Sequence, residues 1–279
     1  MTDYELTEEQ REIVAAVREF VDRDVIPVAS ELEHRDEYPE KLVDTITQMG
    51  LFGTTIPEEY GGLGLGLDTY ALIVTELSRG WVTLSGILNG SFMAAYMIRM
   101  HGTDEQKQKY LPKLATREIR ASFSMTEPEA GSDVQAIRTT ATRDGDDWVI
   151  DGQKMWVTNG YRSSIIMLLA KNDLTANPPH TGTTGFIIEK EPETEPPGLK
   201  IPMPGLKKLG YKGVESTELV YDGYRCPAEN ILGGEEDGLN KGFAQMMDAL
   251  EVGRANVAAR GVGLAQRALE LALKYSFER

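Results

Sequence analysis

The apolar residues at the start of the chain recur every three or four positions, which is the spacing of amphipathic helices. Thr7-Glu8-Glu9-Gln10 has the form of a capping box and predicts the start of the first helix. The apolar residues that continue this helical spacing are Ile13, Val14, Val17, Phe20 and Val21. Because proline does not continue a helix, we expect this helix to end before Pro27.

Four more segments show helical spacing, and they cover residues 39–50, 67–78, 87–100 and 104–115. Gly50 stands where it can cap the C-terminus of the first of these segments. The segment 87–100 is apolar nearly all round, which predicts a buried helix. Residues 1–117 are therefore predicted to form an all-helical domain.

The pattern changes at Ile119 to short extended runs that are bounded by Gly, Pro, Asn and Asp. Strands are predicted at residues 121–125, on both sides of a turn within 139–150, and at 165–169, 185–188 and 218–220. Residues 118–229 are therefore predicted to form an antiparallel β-domain. Helical spacing returns after Pro227, so residues 230–279 are predicted to begin a second helical domain, and the fold class is α+β.

The composition limits which partners the protein can bind and in which cellular compartment it is expected. A formal net charge of −15 repels nucleic acid and anionic lipid, so we expect neither as a partner. Residues 1–10 are too polar for a signal or transit peptide, and no apolar run approaches the ~18 residues of a membrane span. The single cysteine, Cys226, forms no internal disulfide and the scattered histidines complete no zinc site, which favours the reducing cytoplasm and argues against a metal centre.

Two glycine-rich stretches do not qualify as dinucleotide-binding fingerprints. Gly62-Leu-Gly64-Leu-Gly66 follows no predicted strand, and Gly261-Val-Gly263 lies within a predicted helix. The fingerprint requires a strand, a turn and a helix in succession, so we exclude a Rossmann-type site.

Two other segments carry candidate chemistry. In Phe123-Ser-Met-Thr-Glu-Pro-Glu-Ala-Gly-Ser-Asp133, a strand enters a loop whose N–H groups and hydroxyls, from Thr126 and Ser132, suit a pyrophosphate or a flavin carbonyl. The alternative is a loop whose polar side chains cap its own backbone.

The second segment is Asp151-Gly-Gln-Lys-Met-Trp-Val-Thr-Asn-Gly160. Here Trp156 offers a flat face to an isoalloxazine ring, and Thr158 offers a hydrogen bond to the edge of that ring. The alternative is a tryptophan that is buried in the core.

The two segments, in this order and about thirty residues apart, closely resemble the acyl-CoA dehydrogenase family. The flanking sequence resembles the same family essentially throughout the chain. Its landmarks are Pro57-Glu-Glu-Tyr-Gly-Gly62, Gly102-Thr-Asp-Glu-Gln-Lys-Gln-Lys-Tyr-Leu-Pro-Lys113, Leu209-Gly-Tyr-Lys-Gly213, Val220-Tyr-Asp-Gly-Tyr-Arg-Cys-Pro227, Leu250-Glu-Val-Gly-Arg254 and Gly263-Leu-Ala-Gln-Arg-Ala-Leu269.

The resemblance implies a helical N-terminal domain, a middle β-domain, a helical C-terminal domain that is incomplete here, and FAD as the cofactor. It implies that Ser132 reaches the FAD pyrophosphate or the CoA arm. The other residues that it places around the flavin are Phe123, Met125, Thr126, Trp156, Val157 and Thr158.

The implied substrate is an acyl-CoA thioester. By resemblance, Glu251 and Arg254 contact the CoA portion, where Arg254 would supply positive charge to a very acidic chain; a solvated helical arginine is the alternative. The residues implied to face the acyl tail are Ser85, Gly86 and Asn89. Two of them are small, which suggests a roomy or branched-chain pocket or, alternatively, close helix packing.

The implied reaction is α,β-desaturation, in which a glutamate removes the α proton and the β hydrogen leaves as hydride to the flavin. The resemblance also implies that the protein is a homotetramer or homodimer and passes its electrons to an electron-transfer flavoprotein. Most family members carry the glutamate beyond the position of Arg279, and the minority position immediately before Arg254 is Gly253 here. We therefore expect a larger parent protein and no acyl-CoA turnover by these 279 residues alone.

Two other functions stay open at this point. One is an oxygen-reactive relative, either an acyl-CoA oxidase or a flavin monooxygenase. The other is a non-catalytic or partner-dependent subunit with the same fold, which the missing base favours.

Overall fold

The computed structural model describes residues 5–279, so the first four residues of the polar segment 1–10 lie outside the described residues. Within the described part, none of the helices is long and apolar enough to cross a membrane.

The chain up to Ala115 is helical, as the spacing of its apolar residues predicts. The α-helices of this part are α1 (Glu8–Phe20), α2 (Ile26–Arg35), α3 (Glu40–Gln48), α4 (Leu67–Gly80), α5 (Val82–His101) and α6 (Asp104–Ala115). The predicted capping box opens α1, because the Thr7 side chain accepts a hydrogen bond from the N–H of Gln10 and the Gln10 side-chain oxygen accepts one from the N–H of Thr7. Most of α5 is buried, as its composition predicts.

The prediction that the first helix ends before Pro27 is wrong. α1 passes into a π-helical segment, Val21–Val25, and the chain continues as α2 to Arg35. Pro27 stands in the first turn of α2. A proline is tolerated there because the first N–H groups of a helix have no partner within it.

One sheet forms the middle of the molecule. Its strands are β1 (Ala121–Ser124), β2 (Thr140–Asp144), β3 (Asp147–Thr158), β4 (Ile165–Lys171), β5 (Thr183–Glu189), β6 (Leu199–Lys200) and β7 (Ser216–Pro227). Their order is β1-β4-β2-β3-β7-β6, with β5 on β4. The sheet is mixed, not purely antiparallel as predicted, because β4 returns past the β2–β3 hairpin to run parallel to β1 and β2.

The sheet joins two hydrophobic cores. Successive side chains of β4 point to opposite faces, so Met167 packs with the helices whereas Ile166 and Leu168 pack in the core of the β-domain. On the helical side α5 lies against β1, and an alanine side chain at Gly90 would meet the carbonyl oxygen of Ala121 at 2.6 Å. The helices and the sheet therefore meet where β1 begins.

After the short helix α7 (Gly234–Gly238), the chain forms one long helix, α8 (Gly242–Glu278), which packs on α4 and α5. The close approach of α8 to α4 depends on Gly263. A Cβ atom at this position would lie 2.2 Å from the carbonyl oxygen of Thr75 and 2.9 Å from the nitrogen of Arg79. The two helix backbones therefore touch at a site where no side chain fits.

Gly263→Ala is expected to lower the free energy of unfolding by about 1–3 kcal/mol, because the methyl group forces α8 away from α4. Gly261→Ala is the matched control on the same helix. A Cβ at Gly261 has open space around it, so there the exchange is expected to stabilise the helix by about 0.5–1 kcal/mol. Urea denaturation of both variants measures these changes, and a Gly263→Ala protein as stable as the parent would contradict this description of the helix contact.

Candidate functional site

Trp156 stands out of the sheet at an irregularity in β3. The register between β3 and β7 shifts between Lys154 and Val157, and Trp156 has a left-handed backbone with φ 61°. This conformation is rare for a bulky residue and costs energy unless its surroundings impose it. The indole is 53% exposed, whereas the next side chain, Val157, is 1% exposed in the core of the β-domain. The alternative of a core tryptophan therefore does not apply to Trp156.

The loop that follows β1 lies directly against this irregularity. The N–H of Met155 donates to the carbonyl oxygen of Thr126 at 2.9 Å, and the Lys154 ammonium donates to the carbonyl oxygen of Met125 at 3.0 Å. These contacts hold the loop beside Trp156. The two segments that the sequence singled out are thus adjacent in the fold.

The predicted cofactor residues differ in their exposure to solvent. The Val157 side chain is buried and cannot contact a ligand, whereas Trp156 and Ser132 are exposed. The half-buried residues are Phe123, Met125, Thr126 and Thr158. Two aromatic rings, a thioether and three hydroxyls therefore lie in exposed or half-buried positions on neighbouring segments.

A buried ion pair fastens the loop to β3. The Lys154 ammonium lies 2.9 Å from the Glu127 carboxylate, and the side chains are 0% and 5% exposed. The other bonds to this carboxylate come from the N–H groups of Arg138, at 2.6 Å, and Thr139, at 3.0 Å. Glu127 thus joins both ends of the loop to the strand that carries Trp156.

The protonation of this pair follows from its burial and its neighbours. Burial lowers the pKa of Lys154 to about 8, although the Glu127 carboxylate opposes that shift. Burial raises the pKa of Glu127, but Lys154 and the hydrogen bonds from Thr139 and Arg138 outweigh it and hold this pKa below its ordinary value. The carboxylate is therefore ionised at neutral pH. Neither residue was among the predicted site residues, although both stand inside the two segments that were.

Ser132 lies at the open tip of the loop. Its neighbour Gly131 has open space where a side chain would stand, and Asp133 accepts a hydrogen bond from the N–H of Gln135. This tip is exposed, so a ligand from solvent can reach it.

The predicted CoA residues lie on α8. Glu251 and Arg254 are both exposed and share one side of the helix, whereas Gly253 between them is buried against Met93 of α5. A Cβ at Gly253 would lie 3.4 Å from the Met93 sulfur. Arg254 is thus placed to attract an anion at the surface, and Glu251 points away from the α5–α8 contact.

The predicted acyl-tail residues lie on α5 with different surroundings. The buried Ser85 hydroxyl accepts a bond from Ser78 and donates to the carbonyl oxygen of Val82, each at 2.8 Å. A Cβ at Gly86 would lie 1.8 Å from the hydroxyl of Tyr211. At these two positions the small residues serve close packing and do not leave the roomy space that their size suggested.

Asn89, one turn further along α5, is half-buried and differs from its neighbours. Its amide nitrogen lies 3.5 Å from the Met93 sulfur, and its buried side-chain oxygen has no partner in the described part of the chain. An unpartnered acceptor in a helix contact is available to a ligand that enters there.

Lys154→Met is expected to lower the free energy of unfolding by about 3–5 kcal/mol, because it leaves the Glu127 carboxylate buried without a cation. The double variant that adds Glu127→Gln is expected to recover part of the loss. Lys200→Met, which breaks the exposed pair with Asp222, is the control and is expected to cost less than about 1 kcal/mol. Urea denaturation compares the variants, and equal losses in the buried and exposed variants would show that the ion pair does not hold the loop.

Comparison with known proteins gives matches along the whole chain. Family models of the acyl-CoA dehydrogenase N-terminal domain, middle domain and C-terminal domain match residues 7–118, 122–224 and 240–279. The (2S)-methylsuccinyl-CoA dehydrogenase of Cereibacter sphaeroides is 41% identical over 280 residues, which cover 98% of this chain and 50% of that protein. The glutaryl-CoA dehydrogenase of Desulfococcus multivorans is 38% identical over 281 residues, covering 99% of this chain and 69% of the relative.

Solved structures agree with these matches. A chain from a structure of the electron transferring flavoprotein of Acidaminococcus fermentans superposes with a TM-score of 0.92 at 35% identity, over 100% of this chain and 70% of the other. The chain thus spans half the length of the first of the curated relatives and about seven-tenths of the second.

Proposed function

The chain belongs to the acyl-CoA dehydrogenase family, and we propose that it provides the flavin and substrate surfaces of an enzyme that desaturates an acyl-CoA thioester between its α and β carbons. The family resemblance and the α+β fold class predicted from the sequence are confirmed by the family matches and by the structural neighbours. Members of this family are oxidoreductases that carry a flavin, normally FAD.

The observation that carries the flavin proposal is the position of Trp156. A large apolar ring, exposed and held in a strained backbone conformation, indicates a surface that is made to be covered. The residues beside it fit a flavin, since Phe123 and Met125 offer apolar contact and Thr126 and Thr158 offer hydroxyls. In this proposal these residues and Trp156 hold the ring, and the open tip at Ser132 meets the pyrophosphate.

The bound flavin supplies the hydride acceptor of the reaction. The chain's own residues position the substrate. Arg254, exposed on α8, attracts the phosphates of CoA into an otherwise acidic surface, and Glu251 lies beside it. The α5–α8 contact, where Asn89 and Gly253 lie, receives the acyl group.

We assign proton removal to no residue of this chain. Glu251 is exposed and faces away from the α5–α8 contact, and the position before Arg254 is a glycine.

The electron acceptor in this proposal is an electron-transfer flavoprotein, which the likeness to the Acidaminococcus fermentans structure supports. The relatives that match act on different acyl groups, so the family by itself leaves the acyl group open.

Trp156→Ala is expected to weaken FAD binding by about 10-fold or more, because an aromatic contact of this size contributes about 1–3 kcal/mol. The exposed indole supports no core, so the variant is expected to fold normally. Trp156→Phe keeps a flat ring and serves as the control. Flavin content after purification and titration of the apoprotein with FAD measure the effect, and unchanged occupancy in the alanine variant would refute the placement of the flavin.

A further inference from the structure

Two stripes of side chains face each other where α5 and α8 pack. Gly253 of α8 meets Met93 of α5, and Arg260 of α8 meets Ser85 of α5, so the two helices run in opposite directions along this contact. Seven residues, or about 10 Å of helix, separate Gly253 from Arg260. An acyl group that binds near Gly253 therefore has the Arg260 guanidinium about 10 Å further along the helix.

Arg260 is half-buried, and among residues 5–279 it forms no ion pair with a carboxylate. One terminal nitrogen donates to the carbonyl oxygen of Ser85 at 3.1 Å, and the other donates to the hydroxyl of Tyr211 at 3.3 Å. Its Nε is buried and has no partner in the described part of the chain. A guanidinium with only neutral acceptors is costly to bury, and a carboxylate that accepts two parallel hydrogen bonds removes this cost.

Two arginines whose side chains are 5% and 8% exposed, Arg79 and Arg117, are paired with carboxylates, whereas Arg99, half-buried like Arg260, donates to the carbonyl oxygen of Thr55 and forms no ion pair in the described chain. Arg79 lies within 3.3 Å of three carboxylates, and Arg117 pairs with Glu40 and Asp44 at 2.6 and 2.8 Å. In a chain with a net charge of −15, carboxylates are abundant. The absence of a carboxylate partner at Arg260 thus sets this position apart from Arg79 and Arg117.

Tyr211 is fixed beside Arg260 by the loop that carries it. Its backbone is left-handed, with φ 60°, and the next residue, Lys212, donates its N–H to the Glu33 carboxylate at 3.1 Å. The carbonyl oxygen of Lys212 accepts a bond from Thr83 at 2.6 Å. The phenol accepts from Arg260, so its own proton is free for a further acceptor.

We propose that Arg260 and the Tyr211 hydroxyl bind a carboxylate at the far end of the acyl group. The substrate is then the CoA thioester of a short dicarboxylic acid. This inference rests on the proposed function, because it takes the α5–α8 contact as the acyl site. Arg260 provides two parallel donors and the charge, and Tyr211 provides a third donor on a rigid loop.

The test compares two CoA thioesters with equal chain lengths, glutaryl-CoA and pentanoyl-CoA, which differ in a terminal carboxylate or methyl group. Their affinities for the flavin-loaded chain are measured by calorimetry without an electron acceptor. The parent protein is expected to bind glutaryl-CoA about 10- to 100-fold more tightly, since charge-assisted hydrogen bonds contribute about 1.5–3 kcal/mol. Arg260→Gln is expected to abolish this preference and to leave the affinity for pentanoyl-CoA unchanged.

Arg267→Gln is the matched control. Arg267 lies two turns further along the same helix and pairs with Glu270 at 3.4 Å, so its loss is expected to leave the preference intact. Tyr211→Phe removes one hydroxyl and is expected to reduce the preference several-fold. This variant also decides the question if Arg260→Gln does not fold.

The outcomes separate this inference from the proposed function. Equal affinity of the parent protein for both thioesters, or a preference that survives both Arg260→Gln and Tyr211→Phe, would overturn the dicarboxylate assignment and leave the acyl-CoA proposal standing. Failure of the flavin-loaded chain to bind either thioester would overturn the acyl-CoA proposal itself.

Discussion

The ammonium of Lys154 lies inside the molecule and has to be matched there by a negative charge. The Glu127 carboxylate meets this requirement at 2.9 Å, and it also accepts the N–H groups at the far end of its own loop. An unmatched charge at this depth would cost several kcal/mol, so the loop after β1 has little freedom to lie elsewhere. The position of Thr126 beside the irregularity of β3, and hence the surface around Trp156, depends on this pair.

The packing of α4, α5 and α8 forms the second part of the proposed site, which is the acyl contact. Gly263 lets α8 approach α4, and the same helix carries Gly253 and Arg260 to the side that faces α5. Because α5 also lies against β1, one helix borders both the flavin surface and the acyl contact. In the proposed arrangement, helix packing therefore places the flavin surface and the acyl contact next to each other.

Much of this organisation is readable from the sequence, because helices and strands follow local periodicity and because the two motif segments resemble one family. The helix that continues through Pro27 was not predicted, since a π-helical segment leaves no clear periodic signal. The parallel pairing of β4 was not predicted either, because pairing partners are set by tertiary contacts. Structure within one segment can be predicted from the sequence, whereas contacts between distant segments cannot.

The missed residues illustrate this limit. Lys154 and Glu127 are 27 positions apart and each could be an ordinary surface charge in the sequence. Tyr211 and Arg260 are 49 positions apart and meet in a fold where Glu33 and Thr83 anchor the loop at Lys212. The outward turn of Trp156 required the irregular register of β3, which sequence periodicity does not contain.

The central claim, that a flavin covers Trp156, is tested most directly by tryptophan fluorescence during titration of the apoprotein with FAD. Trp81 and Trp148 are each 6% exposed, whereas Trp156 is 53% exposed, so its emission lies at longer wavelength and can be followed separately. We predict that FAD quenches this long-wavelength emission in proportion to occupancy. Stoichiometric FAD binding that leaves the Trp156 emission unchanged would contradict the account.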